Sequence, residues 1–374
     1  MTDVNRSTGL GGGGAPGTAP AGAGPGGGES RGGTGAGDEG PRPAGGGGLK
    51  AIATRALEFE SNSVLVATIV LVVTVGVLRP EFFTWSQISN MLQQSVYIAL
   101  LASGMAFLIS MREIDLSVGS IFGLTLISAS LLMEHGMNAW LAGLLGVLIG
   151  AAAGLFNAML VQVIAIPAIV ATLATLAMYR GLTLGLSNGQ QVTNLPLQSS
   201  FFTWLGGGRY LGLPVSVWIM ILSAIILTAL LRLTPFGYRI RAIGSNPEAA
   251  TFSGISIPRV RVQALVLSGL LAGIAGMLGL AFFESGDPNI GTGFELQAIA
   301  AAVIGGTPLR GGSATVVGAM FGAILLSVVA SGLVFFNVPL NWSAFASGVV
   351  ILAAVSLDSL LRRRRRARGP GLAL

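Results

Sequence analysis

From Ser63 onward the chain is a succession of about ten apolar segments, approximately 63–78, 91–111, 115–134, 138–162, 166–186, 215–233, 262–283, 296–306, 313–334 and 341–360. Most are close to the ~20 residues a helix needs to cross a ~30 Å hydrocarbon core, where every backbone polar group must be satisfied internally. The pattern therefore predicts an all-α fold: a polytopic transmembrane bundle of about ten helices. The segment 296–306 is too short to span comfortably and is expected to be a half-helix or re-entrant. Composition agrees, since 52% of the residues are hydrophobic and only 10% charged, against about a quarter charged in a soluble domain.

Residues 1–49 are almost entirely Gly, Ala, Pro, Ser and Thr with scattered charges. Such a stretch cannot bury enough apolar surface to offset its ordering entropy, so a disordered cytoplasmic tail is expected there. The membrane domain is assigned to 50–361 and an Arg-rich cytoplasmic tail to 362–374. The formal net charge of +6 gathers in loops and at the C-terminus, which fits positive-inside topology better than nucleic-acid binding. The chain has no cysteine and one histidine, His135, which excludes thiolate and multi-histidine metal sites and most general-base chemistry. No catalytic site, metal or cofactor is expected. The only lysine, Lys50, lies in Gly-Gly-Leu-Lys-Ala, which is not a phosphate-binding loop. Nucleotide energy, if used, must come from another polypeptide.

The longest polar interruption of the apolar region is Thr234–Val262, which carries Arg239, Arg241, Glu248, Arg259 and Arg261. Burying five charges at about 2.5–3.5 kcal/mol each would cost on the order of 12 kcal/mol or more, so this stretch lies outside the bilayer. Its pattern predicts a short helix: Asn246 as N-cap, Pro247 at the first helical position, Glu248 in the first turn and Gly254 as terminator. Arg362–Arg366 with Arg368, the opening Lys50 and Arg55, and this loop are all expected on the cytoplasmic side. Ten crossings satisfy that arrangement. If 296–306 does not cross, parity places the terminal arginines outside.

Within the membrane region, Asp115 is expected to cap a helix by accepting N–H groups of Leu116–Val118; alternatively Asp115 and Ser117 face a polar cavity. Arg180 lies inside an apolar run, and its side chain is expected to snorkel to the outer interface. Asn157, Thr172, Thr175 and Gln297 are uncharged polar residues that either bond neighbouring helices or line a path for a hydroxylated solute. The Gly146/Gly150/Gly154, Gly269/Gly273 and Gly318/Gly322 spacings are expected to let helices pack closely within one bundle, with a subunit interface as the alternative. Phe283–Phe294 should form an outer turn with Glu284 and Asp287 exposed, either a contact for an extracytoplasmic partner or an ordinary solvated turn.

Four stretches then combine: IDLSVGS at Ile114–Ser120, IPAIVATLATLAMYRGL at Ile166–Leu182, the 234–262 loop with Gly237, Glu248-Ala249-Ala250 and Gly254, and PNIGTGFELQAIAAAVIGG at Pro288–Gly306. In this order they resemble the membrane permeases of bacterial ABC sugar importers, the ribose/xylose/galactose class, from about Ser63 to Asp358. The resemblance implies a pair of permease subunits, identical or related, joined to cytoplasmic ATPase subunits and fed by an extracytoplasmic solute-binding protein, in the bacterial cell membrane with both termini cytoplasmic. It implies that Gly237, Asn246, Pro247, Glu248, Ala249, Ala250 and Gly254 form the coupling loop against the ATPase, and that a monosaccharide crosses by alternating access. The chain departs from that pattern at Gln297, where an acid is expected, at Arg112-Glu113, where small residues are expected, and in its long tail. The alternatives are an ABC permease for a non-sugar solute and an ion-coupled secondary transporter. The latter calls for mid-membrane carboxylates, whereas Asp115 is near a segment end and Glu284, Asp287 and Glu295 are expected outside.

Overall fold

The computed structural model describes residues 62–339, together with helical positions Trp342, Phe345, Gly348, Val349, Leu352 and Ser356. The 1–49 and 362–374 tails, Lys50, Arg55 and most of segment 341–360 lie outside the described residues. The elements are α1 (Asn62–Leu78), α2 (Trp85–Ser110), α3 (Val118–Glu134), α4 (Ala139–Val163), α5 (Ala168–Leu186), a two-stranded ribbon β1 (Arg209–Tyr210) and β2 (Leu213–Pro214), α6 (Val215–Leu233), α7 (Pro235–Ser245), α8 (Pro247–Phe252), α9 (Ile257–Phe283), α10 (Phe294–Ile304) and α11 (Val316–Phe335). Short single turns precede α2 and β1. Six of these helices, α2, α4, α5, α6, α9 and α11, are long and apolar enough to cross a membrane, and α1, α3 and α10 are shorter apolar helices. The polytopic all-α bundle expected from the sequence is the fold observed.

Small residues make the packing possible. A methyl group added at Gly150 would lie 2.7 Å from the Gly273 Cα, and one at Gly269 would lie 2.8 Å from the Gly154 Cα. The backbones of α4 and α9 therefore touch where side chains would ordinarily keep them apart. On α11, Gly318 and Gly322 sit against the carbonyls of Gly305 and Ala301 at the end of α10. These glycines serve contacts within one chain, as the sequence reading favoured. The central α2 is buried along nearly its whole length, and α9, α10 and α11 pack around it.

The segment 296–306 becomes α10, whose 11 residues extend only about 16 Å at 1.5 Å per residue. The chain nonetheless passes from one end of the bundle to the other. Gly286 exchanges two backbone hydrogen bonds with Val192, of 2.8 and 2.9 Å, where α9 ends, whereas Gly312 N–H reaches the Ser110 carbonyl at 2.9 Å where α2 ends. Irregular backbone completes the crossing on either side of α10, an arrangement tolerated in a membrane where protein surrounds it. The segment 296–306 with its flanking backbone thus joins the two ends of the bundle.

The polar stretch 234–262 holds two helices rather than one. Thr234 caps α7 by accepting from Gly237 N–H at 3.3 Å, and Pro235 occupies its first turn. Asn246 then breaks the helix with extended backbone and caps α8 by accepting from Ala249 N–H at 3.0 Å. Ser253 and Gly254, at φ 79°, end it. The following helix starts at Ile257, so Arg259 and Arg261 belong to the first turns of α9. The sequence reading missed α7, whose packed face is Phe236, Ile240 and Ile243 with Gly237 and Gly244 beside them.

Candidate functional site

At the end of the bundle where α2 and α6 finish, α7 lies against both. Gly237 abuts the Leu231 carbonyl and Gly244 abuts the Ser110 carbonyl, so neither position admits a side chain. Phe236 stacks on Phe107 of α2, with ring centroids 6.1 Å apart. The two last carbonyls of α7, which no helical N–H satisfies, receive the guanidinium of Arg112: Nε donates to Gly244 O at 2.8 Å and Nη2 to Ser245 O at 3.0 Å. One face of the α7–α8 unit is therefore fixed to the bundle, while the other is bare. Glu248, Ala249, Thr251 and Gly254 are exposed, Phe252 is 91% exposed and Tyr238 64%. Ala250 is buried. A cleft beside it is lined by Tyr238, Arg239, Ser253, Gly254 and Arg259. An aromatic residue this exposed at the tip of a rigid, polar element suits insertion into another protein.

The loop from Arg112 to Ser117 leads from this unit into the bundle. Arg112 adopts a left-handed conformation, φ 66°, which turns the chain back inward. Glu113 pairs with Arg261 on α9. Burial pushes the Glu113 carboxyl above its ordinary value of 4.5, and the Arg261 guanidinium partly offsets that rise. Asp115 is fully buried. One of its oxygens accepts from Ser117 N–H at 2.9 Å and Ser117 Oγ at 2.6 Å, and the other accepts from Ser268 Oγ of α9 at 3.2 Å. Asn157 of α4 donates to Ser117 Oγ at 2.8 Å, and Tyr179 of α5 lies 3.0 Å from Asn157 Oδ1 and 2.9 Å from the Ala153 carbonyl. Thr172 Oγ1 reaches the Ile114 carbonyl at 3.4 Å, and Thr175 Oγ1 the Thr172 carbonyl at 3.3 Å. One loop thus ties together α4, α5, α7 and α9.

Compared with the sequence expectations, Asp115 is not the cap residue. Ser117 occupies the N-cap of α3, and Asp115 supports it by accepting the Ser117 N–H. Asp115, Ser117, Asn157, Thr172 and Thr175 are all fully buried and bonded to protein, and Gln297 is half-buried on α10. The sequence reading missed Tyr179 and Ser268. Thr172, Thr175, Tyr179 and Thr183 recur at three- and four-residue spacing and share the buried face of α5, a stripe visible in the sequence. Arg180 is half-exposed, and its Nη2 donates to the exposed Asn289 carbonyl at 3.4 Å, in the segment before α10. Glu284 is exposed with left-handed backbone, φ 53°, but Asp287 is half-buried and accepts Asn289 N–H at 2.8 Å. Glu295 is not outside: it sits half-buried in the first turn of α10, against Gly119. Among the described residues no cluster of His, Cys, Asp or Glu could hold a metal ion.

Residues 87–355 match the family described as branched-chain amino acid transport system / permease component. The chain is 38% identical over 307 residues to the ribose import permease protein of Escherichia coli (strain K12), covering 82% of this chain and 95% of that protein. It is 39% identical over 289 residues to the ribose import permease protein of Bacillus subtilis (strain 168), covering 77% and 89%. It is 35% identical over 308 residues to the L-arabinose ABC transporter permease protein of Azospirillum brasilense, covering 82% and 89%. No solved structure matches the chain.

Proposed function

This chain belongs to the family of branched-chain amino acid transport system permease components, and on that premise we propose that it is the multi-pass permease subunit of an ATP-binding cassette importer that carries a monosaccharide into the bacterial cell. The observation that carries this reading is the α7–α8 unit. It is locked to the bundle through Gly237, Gly244 and Arg112, and it leaves Glu248 and the nearly naked Phe252 facing outward. In this role Gly237, Asn246, Pro247, Glu248, Ala249, Ala250 and Gly254 shape the element that meets a cytoplasmic ATPase subunit. The absence of a phosphate-binding loop in the chain agrees with energy arriving from such a partner. The choice of a sugar is supported by relatives whose names specify ribose and L-arabinose.

The permease works with a second permease subunit and an extracytoplasmic solute-binding protein, which meets the end bearing Glu284 and Asp287. Both termini are cytoplasmic. Closure of the ATPase subunits moves the α7–α8 unit, and the bundle alternates between outward- and inward-open states. Asp115, Ser117, Asn157, Thr172 and Thr175 belong to the closed polar interior, whose hydrogen bonds are exchanged when the path past them and Gln297 opens. The family description names branched-chain amino acids, which makes a non-sugar solute the second reading. Uptake of labelled pentoses, hexoses and leucine by a strain lacking the gene tests both. Loss of one monosaccharide is expected; loss of leucine alone overturns the sugar assignment. Normal uptake by Glu248→Arg and Gly254→Val variants in an intact complex overturns the coupling role.

A further inference from the structure

Arg180 on α5 and Glu295 on α10 bring opposite charges into the bundle away from its ends, and neither belongs to the Asp115 network. A charge at membrane depth is retained for a purpose. The guanidinium has five N–H donors, yet among the described residues its one hydrogen bond is the 3.4 Å contact to Asn289 O, at the long limit for such a bond. Both side chains are half-buried.

Their relative position is read from α3. A side chain at Gly119 would strike the Glu295 carboxylate and would lie 2.5 Å from the Gly291 carbonyl. One at Gly123 would lie 3.1 Å from the Ile290 carbonyl and 3.9 Å from Arg180 Nη1. The carboxylate and the guanidinium therefore stand over successive turns of α3, ~6 Å apart along the helix, with the Ile290 and Gly291 carbonyls packed on the two glycines between them and α3. They are not in ion-pair contact. The Glu295 carboxylate accepts its own and the Gly293 backbone N–H, which leaves lone pairs for a further donor, and the guanidinium has donors to spare for whatever comes between the two.

We propose that Arg180 and Glu295 form a solute-contact site that takes adjacent hydroxyls of a neutral sugar. A hydroxyl both donates and accepts, so one member of a diol accepts from the guanidinium while its neighbour donates to the carboxylate. The two charges cancel, so the site gains nothing from a net anion or cation. This assignment rests on the monosaccharide reading. A zwitterionic amino acid would also bridge the two charges, and the test includes it.

The complete importer, with its ATPase and binding protein, is reconstituted in liposomes and assayed with labelled D-ribose, L-arabinose, D-glucose and L-leucine. The imported sugar is then compared with its monodeoxy analogues at concentrations that saturate the binding protein. Arg180→Gln and Glu295→Gln are expected to lower sugar transport about ten-fold, the scale of a lost hydrogen bond to a charged group, and to bring the sugar/deoxy ratio for one analogue close to one. ATP hydrolysis stimulated by the loaded binding protein should persist. A purely structural role would slow sugar and analogue alike, so an unchanged ratio overturns the site while the sugar reading stands. Import of leucine and of no sugar by the unaltered protein overturns both. Should the Gln variants fail to accumulate, Arg180→Lys and Glu295→Asp carry the same comparison, and an unchanged ratio there overturns the site equally.

Discussion

Replacing Asp115 by alanine removes the one acceptor shared by Ser117 N–H, Ser117 Oγ and Ser268 Oγ, in a place with no solvent access. Each buried donor left without a partner costs about 1–3 kcal/mol. The Ser268 hydroxyl can turn to a carbonyl one helical turn back on α9, so the main loss falls on the Ser117 amide and hydroxyl. The expected destabilisation is about 2–4 kcal/mol. Asp115→Asn keeps an acceptor oxygen for Ser117 and offers an amide donor that the Ser268 oxygen can accept, so it should cost about 1 kcal/mol or less. Equilibrium unfolding by dodecyl sulfate in mixed micelles, followed by helical circular dichroism, measures both. If alanine lies within about 0.5 kcal/mol of the unaltered protein, as surface changes do, the loop is not the junction described here. If asparagine costs as much as alanine, charge rather than acceptor geometry matters.

Other outcomes follow from neighbouring contacts. Gly244→Ala places a methyl group on the Ser110 carbonyl and 2.5 Å from Gly312 N; backbone must shift, at about 1–3 kcal/mol or more, and membrane levels of the variant should drop. Arg112→Ala uncaps the end of α7 and should leave ATP hydrolysis in place while sugar moved per ATP falls several-fold, a ratio read in proteoliposomes; an unchanged ratio denies the link. Glu113 has a folded-state value raised by burial. Its contribution is fully present below the unfolded carboxyl value and is lost as pH rises through the folded one. Stability should therefore decline less with rising pH in Glu113→Gln than in the unaltered protein, measured by the same unfolding assay at stepped pH.

Much of this architecture is legible in the residues themselves. Apolar length marks the helices, and the four-residue glycine spacings mark the α4–α9 and α10–α11 contacts, because both are local properties of the chain. The Asn246-Pro247-Glu248 pattern marks the start of α8 for the same reason. What escaped depends on tertiary folding. α7 has an apolar stripe of Phe236, Ile240 and Ile243, but it is short and embedded among arginines and glycines, and its place against α2 depends on tertiary contacts. Glu295 looks like a residue heading for water when counted from the nearest polar stretch, but the chain before α10 descends along α3 and sets it against Gly119. Arg112 and Glu113, departures from the expected pattern, turn out to hold α7 and α9. No local rule connects them to carbonyls more than a hundred residues away.

The central claim is that this chain moves a sugar with energy supplied by a separate ATPase through α7 and α8. Its most direct test is uptake into liposomes containing the purified permease, with and without the ATPase subunit and ATP. Labelled sugar should accumulate only when the loaded binding protein, the ATPase and ATP are all present, should stop when Phe252 or Glu248 is altered, and should ignore proton and sodium ionophores. Accumulation by the permease alone, driven by an ion gradient and abolished by ionophores, would contradict the account.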